Sequence, residues 1–156
     1  MADPTWDSGT PVVVLAQPKY GFWTKVSDYV DSSKRLKFVV DDKVEGPPAE
    51  GGKPSEKNNK WFYANQKECT ADGDPAAGVN AANCLVPDAP VGALIAKIGG
   101  STAGKSDGAK LFVVGSFCTF DLDDKTKGAL YLTMNADPMT LTGRGGQLSV
   151  KIFRSN

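Results

Sequence analysis

Four stretches of this chain bring together residue types that could do chemistry. The longest is Asn135-Ala136-Asp137-Pro138-Met139-Thr140-Leu141-Thr142-Gly143-Arg144-Gly145-Gly146, which offers an amide, a carboxylate, hydroxyls and a guanidinium in one loop. Asp72-Gly73-Asp74 follows shortly after Trp61-Phe62-Tyr63. Carboxylates that take hydroxyl hydrogens, beside rings that take the apolar face of a sugar, are the usual ingredients of a carbohydrate site. Asp121-Leu122-Asp123-Asp124 gathers carboxylates as a metal site would. An EF-hand loop, however, needs glycine at its sixth position and glutamate at its twelfth, and neither is present. A solvated turn is expected there. Gly99 to Ser106 matches G-x-x-x-x-G-K-S. A phosphate loop must open a helix, whereas Asp107-Gly108-Ala109-Lys110 and a strand-like run follow, so a hairpin loop is expected.

What the chain lacks narrows the chemistry further. It has no histidine, which removes histidine-based triads, zinc motifs and imidazole acid–base catalysis together. No nucleophile–base pair can be named, so an enzyme is not expected. The 18 basic and 18 acidic residues cancel, leaving no electrostatic case for nucleic acid or an anionic membrane. No apolar run approaches the ~18 residues of a spanning helix, so no membrane insertion is expected. Met1-Ala2-Asp3-Pro4 has neither the basic start nor the apolar segment of a signal peptide.

The elements that must position these residues read as strands. Leu130, Leu132 and Met134 alternate with Tyr131, Thr133 and Asn135, and Leu148, Val150 and Ile152 with Ser149, Lys151 and Phe153. A period of two places each triplet on one face of a strand. Leu36, Phe38 and Val40 repeat the pattern, and Pro11 to Ala16 is rich in β-branched residues. Phe22 to Tyr29 reads as extended rather than as a short helix. Two sheets that each hide one face must pack together, and 156 residues suffice for one such domain over 1–156. Residues 1–10 read as a loose arm, 45–60 as a mobile surface loop of proline, glycine and charge, and 64–89 as a long irregular loop. Cys69 and Cys84 flank the centre of that last loop and are the pair expected to form a disulfide, with Cys118 free. A closed loop of that length would gain about 3 kcal/mol and imply an oxidising compartment. Three reduced thiols is the other reading.

From Cys84 onward the order V-G-A-L-I-x-K-I-G, F-V-V-G, G-A-L-Y-L-x-x-N and G-x-L-S-V-x-I resembles the galactophilic bacterial lectins of the PA-I type and their wider family of small jelly-roll domains. Ala71-Asp72-Gly73-Asp74-Pro75 resembles a loop of the same family. The resemblance implies an all-β jelly-roll sandwich, galactose-binding-domain-like, from a bacterium and placed in the periplasm or outside the cell. It also implies calcium ligands in the loop at 135–146: an Asp after an Asn, a Thr, and an adjacent pair of Asn. Here Asn135 and Thr140 match, Ala136 stands where the Asp belongs, and Gly143 and Arg144 replace the Asn pair. Calcium takes six to eight oxygen ligands, so no calcium and no other cofactor is expected.

The expectation is therefore a non-catalytic binding module of lectin-like fold that takes carbohydrate without calcium. The ligand-binding candidates are Asn135, Asp137, Thr140, Arg144, Asp72, Asp74 and Trp61. The alternative is a protein-interaction module, a secreted inhibitor or immunity-type protein, with Trp61, Phe62 and Tyr63 in the interface.

Overall fold

Alternation of large apolar and polar side chains generates the strands that carry the core. In the last strand, Leu148, Val150 and Ile152 are buried while Gln147 and Lys151 are exposed. At Trp61–Ala64 the three consecutive aromatics split as a strand requires, with Trp61 and Tyr63 inward and Phe62 outward. A computed structural model describes residues 5–30, 35–65, 67–75, 83–105, 107–108, 110–123, 125–139 and 143–155. Of these, 53% are in strands and 3% in helix, so the class is all-β.

The strands are β1 (Thr10–Leu15), β2 (Thr24–Val30), β3 (Arg35–Val39), β4 (Lys43–Glu45), β5 (Glu56–Asn58), β6 (Trp61–Ala64), β7 (Lys67–Cys69) and β8 (Asp72–Asp74), followed by β9 (Val91–Ile98), β10 (Lys110–Val113), β11 (Phe117–Asp121), β12 (Gly128–Met134) and β13 (Gly145–Arg154). One sheet has the order β11-β3-β13-β6-β7, with β1 also on β13. The other has the order β10-β9-β12-β2, with β8 also on β9. Every pairing is antiparallel. A sandwich-like core runs between the sheets, from Val14, Leu36, Phe38 and Trp61 on one side to Leu94, Leu130, Leu132 and Met134 on the other. No helix among the described residues is long and apolar enough to cross a membrane.

Strand β13 is the hub of its sheet. β1 pairs along it from Gln147 to Ile152, β3 from Lys151 to Arg154, and β6 at Gly145 and Gly146. β9 is buried along its whole length. Its inner face meets the core, and its outer face, with Ile95, lies under Trp23 and Tyr131, supported by Phe22, Leu85 and Val86. Tyr131 is thus buried, not solvent-facing as simple alternation implies, because loop residues cover this side of the second sheet.

Four expectations need correction. Residues 45–60 are not a structureless loop: β4 and β5 form a hairpin with Lys43 opposite Asn58, Val44 opposite Lys57 and Glu45 opposite Glu56. Gly51 and Gly52, at φ +80° and +76°, let the chain reverse at its tip. The stretch 64–89 contains β7 and β8. The arm is pinned where it is described: Trp6 bridges to Ser155, and the Asp7 amide donates to the Arg154 carbonyl. Finally, all three cysteines are free thiols and the Cys69–Cys84 bridge is absent. The two thiols have different surroundings. Cys69 lies against Gly92 at the start of β9 and donates to its carbonyl, whereas Cys84 faces Asp137 and Arg144. The argument for an oxidising compartment loses its support with the bridge.

Candidate functional site

The segment before β9 and the loop after β12 adjoin at one end of the second sheet, and the β9–β10 loop, which leaves the other end, lies back against Lys97 and Trp23 so that the three line a cleft of about 490 Å³. Asn83, Cys84 and Leu85 come from the segment before β9, Lys105 from the β9–β10 loop, and Asp137, Pro138 and Met139 from the β12–β13 loop. Each loop is held by a different device.

Asn135, directly after β12, straps the first loop. Its side chain is fully buried, its Oδ1 accepts from the Val86 amide at 2.8 Å, and its Nδ2 donates to the carbonyls of Val86, Ala89 and Pro90 at 2.9–3.1 Å. The Leu85 amide adds a bond to the Ala136 carbonyl. Both ends of this amide are bonded to the backbone and Asn135 is not part of the lining, so it positions the cleft.

Lys97 holds the second loop. It is fully buried in β9, and its ammonium donates to the carbonyls of Ser101 (2.6 Å) and Gly104 (2.9 Å) and to Asp107 Oδ1 (2.7 Å). The rings of Trp23 and Tyr131 flank it, each centroid 4.9 Å from Nζ. Trp23 Nε1 donates to the Lys105 carbonyl, and the Lys105 ammonium lies 5.7 Å from the Phe22 ring and 4.0 Å from Met139 Sδ. The loop carbonyls of the G-K-S stretch thus converge on a cation of the protein itself, and the strands either side pair as an antiparallel hairpin. No helix follows to receive a phosphate.

The third loop carries the carboxylate of the cleft, Asp137. Asp137 Oδ1 accepts from the Met139 amide, a local turn that leaves Met139 among the most exposed apolar side chains. Arg144 donates from Nη2 to the Ala16 carbonyl at 2.7 Å, which ties this loop to the end of β1. Burial pushes the Arg144 guanidinium below its ordinary value, with Cys84 and Asp137 opposing. Burial and Asp137 push the Cys84 thiol up, with Arg144 opposing. The thiol is therefore neutral near pH 7 and a poor nucleophile. Thr140 lies outside the described residues.

The remaining expected site residues are elsewhere and already engaged. Asp72 accepts from the Ser116 amide and hydroxyl at 2.8 and 3.0 Å. Asp74 accepts from the Tyr63 hydroxyl at 2.7 Å, and that bond holds the phenol above its ordinary pKa. Trp61 is fully buried, with Nε1 on the Gly92 carbonyl, so it is a core residue and not a sugar platform. The acidic turn is a capped turn: Asp123 accepts from the Lys125 amide and the Thr126 hydroxyl, and Asp121 pairs with Arg35. Among the described residues, no three side chains of Cys, Asp and Glu converge on one point. Asn83, Leu85 and Lys105 were not identified as site residues from the sequence. Lys105 stood in the G-K-S match, and Asn83 adjoins Cys84, but nothing local linked either to the loop at 135–146.

No protein-family model and no curated protein matches this chain. Function must therefore be argued from the cleft itself.

Proposed function

We propose that this protein is a non-catalytic binding module of jelly-roll, lectin-like type, whose loop-end cleft takes a small saccharide without calcium. The observation that supports this reading is the lining of the cleft. The Asn83 amide, the Asp137 carboxylate and the Lys105 ammonium offer donors and acceptors for hydroxyls, while Leu85, Pro138 and Met139 offer apolar surface for the ring face. Its volume of about 490 Å³ falls within the range of small-molecule sites. Binding rather than catalysis is the reading that a neutral buried thiol in the lining and a chain without histidine support. Calcium is disfavoured by the same geometry. Asn135 is committed to the backbone, Ala136 has no side-chain oxygen and its carbonyl already accepts from the Leu85 amide, and the Arg144 guanidinium near Asp137 opposes a divalent cation.

A glycan array read with and without EDTA, followed by calorimetry on the best ligand, tests the reading. EDTA-insensitive binding that falls at least about tenfold in Asp137→Ala or Asn83→Ala is expected, since each removes charge-assisted or neutral hydrogen bonds to hydroxyls. Binding abolished by EDTA would overturn the calcium-free mechanism, and an array without hits would overturn the saccharide.

One observation favours the alternative, a protein-interaction module. The Trp61-Phe62-Tyr63 patch is reduced to Phe62, but Val113 and Phe117, on the edge strands β10 and β11, are 43% and 62% exposed. Edge strands with exposed apolar side chains are places where another chain can add.

A further inference from the structure

A second, smaller cleft of about 170 Å³ lies where the β4–β5 hairpin and Lys60 meet the start of β13. Its polar lining is one-sided. Lys57 and Lys60 contribute two ammonium groups, Asn58, Gln147 and Ser149 contribute amides and a hydroxyl, and no carboxylate takes part. In a chain whose charges cancel, both charges of this lining are positive; Asp41 and Asp42, whose carbonyls bond to Asn59, lie outside the lining, and Asp41 pairs with Lys151. The ion pairs among the described residues use other lysines, Lys25, Lys97 and Lys151. The hairpin's glutamates, Glu45 and Glu56, face each other across the hairpin and lie outside the lining.

The cleft is also preformed. Asn59, 3% exposed, donates from Nδ2 to the carbonyls of Asp41 and Ser149, and its Oδ1 accepts from the Ser149 amide, all at 2.9–3.0 Å. A buried amide with both ends bonded fixes the hairpin's base against β13, so little ordering is left to oppose a ligand. The volume is too small for a multi-ring ligand. The charges are point-like ammoniums, which bind phosphate-type oxyanions as point charges, and the flanking amides and hydroxyl can donate to the remaining oxygens.

From this geometry we infer that the cleft at Lys57, Lys60 and Ser149 is an oxyanion site, taking one sulfate or phosphate group. The group arrives either as a free ion or as an ester on a saccharide. The site is separate from the loop-end cleft, and neither reading depends on the other.

Amide chemical shifts of the ¹⁵N-labelled full chain, followed at constant ionic strength, provide the test. Sodium sulfate, inorganic phosphate and a sulfated disaccharide are titrated in turn. Saturable shifts at residues 57–60 and 147–149 are expected, weakened about tenfold for each lysine removed in Lys57→Gln and in the Lys57→Gln/Lys60→Gln double variant. Asp137→Ala should leave them unchanged. A sulfated disaccharide that binds at least about tenfold more tightly than sulfate identifies the ester as the source, and equal affinities identify the free ion. No saturable shift in these segments, or shifts that persist in both lysine variants, would overturn the site. Should the double variant not fold, Lys57→Gln alone decides.

Discussion

Lys97 occupies a position where an aliphatic side chain of its size would gain about 1.5–3 kcal/mol by burial. Its retention depends on three oxygens and two rings. Lys97→Met keeps the stem but leaves the Ser101 and Gly104 carbonyls and the Asp107 carboxylate facing an apolar group. Urea unfolding should show a loss of about 2–4 kcal/mol, and a loss under ~0.5 kcal/mol would show the cage to be ornamental. The same pair sets an acid limit. The hydrogen bond from Lys97, foremost, holds the Asp107 carboxyl below its ordinary value of 3.8. A depressed carboxyl stabilises the fold above its unfolded pKa, and that contribution fades as pH falls through the folded value. Asp107→Asn should therefore flatten the decline of stability below about pH 4. Asn135 makes the opposite kind of prediction. Asn135→Ala abandons the backbone of residues 86–90 and should cost about 2–4 kcal/mol. Asn135→Asp should be worse at pH 7, because an oxygen replaces the donor to three carbonyls, and it should recover as acid protonates it. A thermal melt at pH 7 and pH 4 distinguishes the two variants.

At the scale of elements, the cysteines give a simple chemical test of how the strands sit. Burial pushes the Cys69 thiol up to about 12 and raises Cys84 and Cys118 as well. In the native, unreduced protein the half-buried Cys118 should react first with Ellman's reagent, and denaturant should release two further thiols. One reactive thiol after denaturation would restore the Cys69–Cys84 bridge and with it the oxidising compartment. The strands that the sequence made legible are those with a face to bury: β3, β12 and β13 have period-two triplets, and β1 has its run of valines. The β4–β5 hairpin was not legible because it is held by backbone hydrogen bonds and buries almost no side chain, so hydropathy carries no trace of it. β7 and β8 are too short to show a period. The cleft was half legible. Asp137 announced itself by type, and Arg144, also singled out, lies outside the lining with Nη2 on the Ala16 carbonyl, but Asn83 and Lys105 reach the cleft only through tertiary contacts made by Asn135 and Lys97. Asn135, Asp72, Asp74 and Trp61 have the chemistry of ligand-binding residues, but each is engaged by internal partners that only the fold reveals.

For the whole molecule, the calcium-free binding proposed above has a thermodynamic signature. A site with a dissociation constant near 10 μM would add about 2.7 kcal/mol at a hundredfold excess of calcium and move the melting midpoint by a few degrees. Melts in millimolar calcium and in EDTA should coincide. An upward shift that vanishes in Asp137→Ala would instead show that the loop ligates calcium through that carboxylate. The position of β13 has a further consequence, for the order of events in the cell. This strand lies furthest along the chain, yet among the described strands it is the one β1 pairs with, and it is the second partner of β3 and β6, which have β11 and β7 on their other sides. At roughly 5–20 residues per second, a ribosome takes on the order of ten seconds to reach it. Throughout that interval β1, near the other end, has its valines made and its pairing strand still to come. Until that strand emerges the first sheet lacks its hub, while β2, β9, β10 and β12 are already made and can pair, so a stop codon before Gly145 would release a polypeptide that has every strand of its second sheet but only the β11–β3 and β6–β7 pairs of its first.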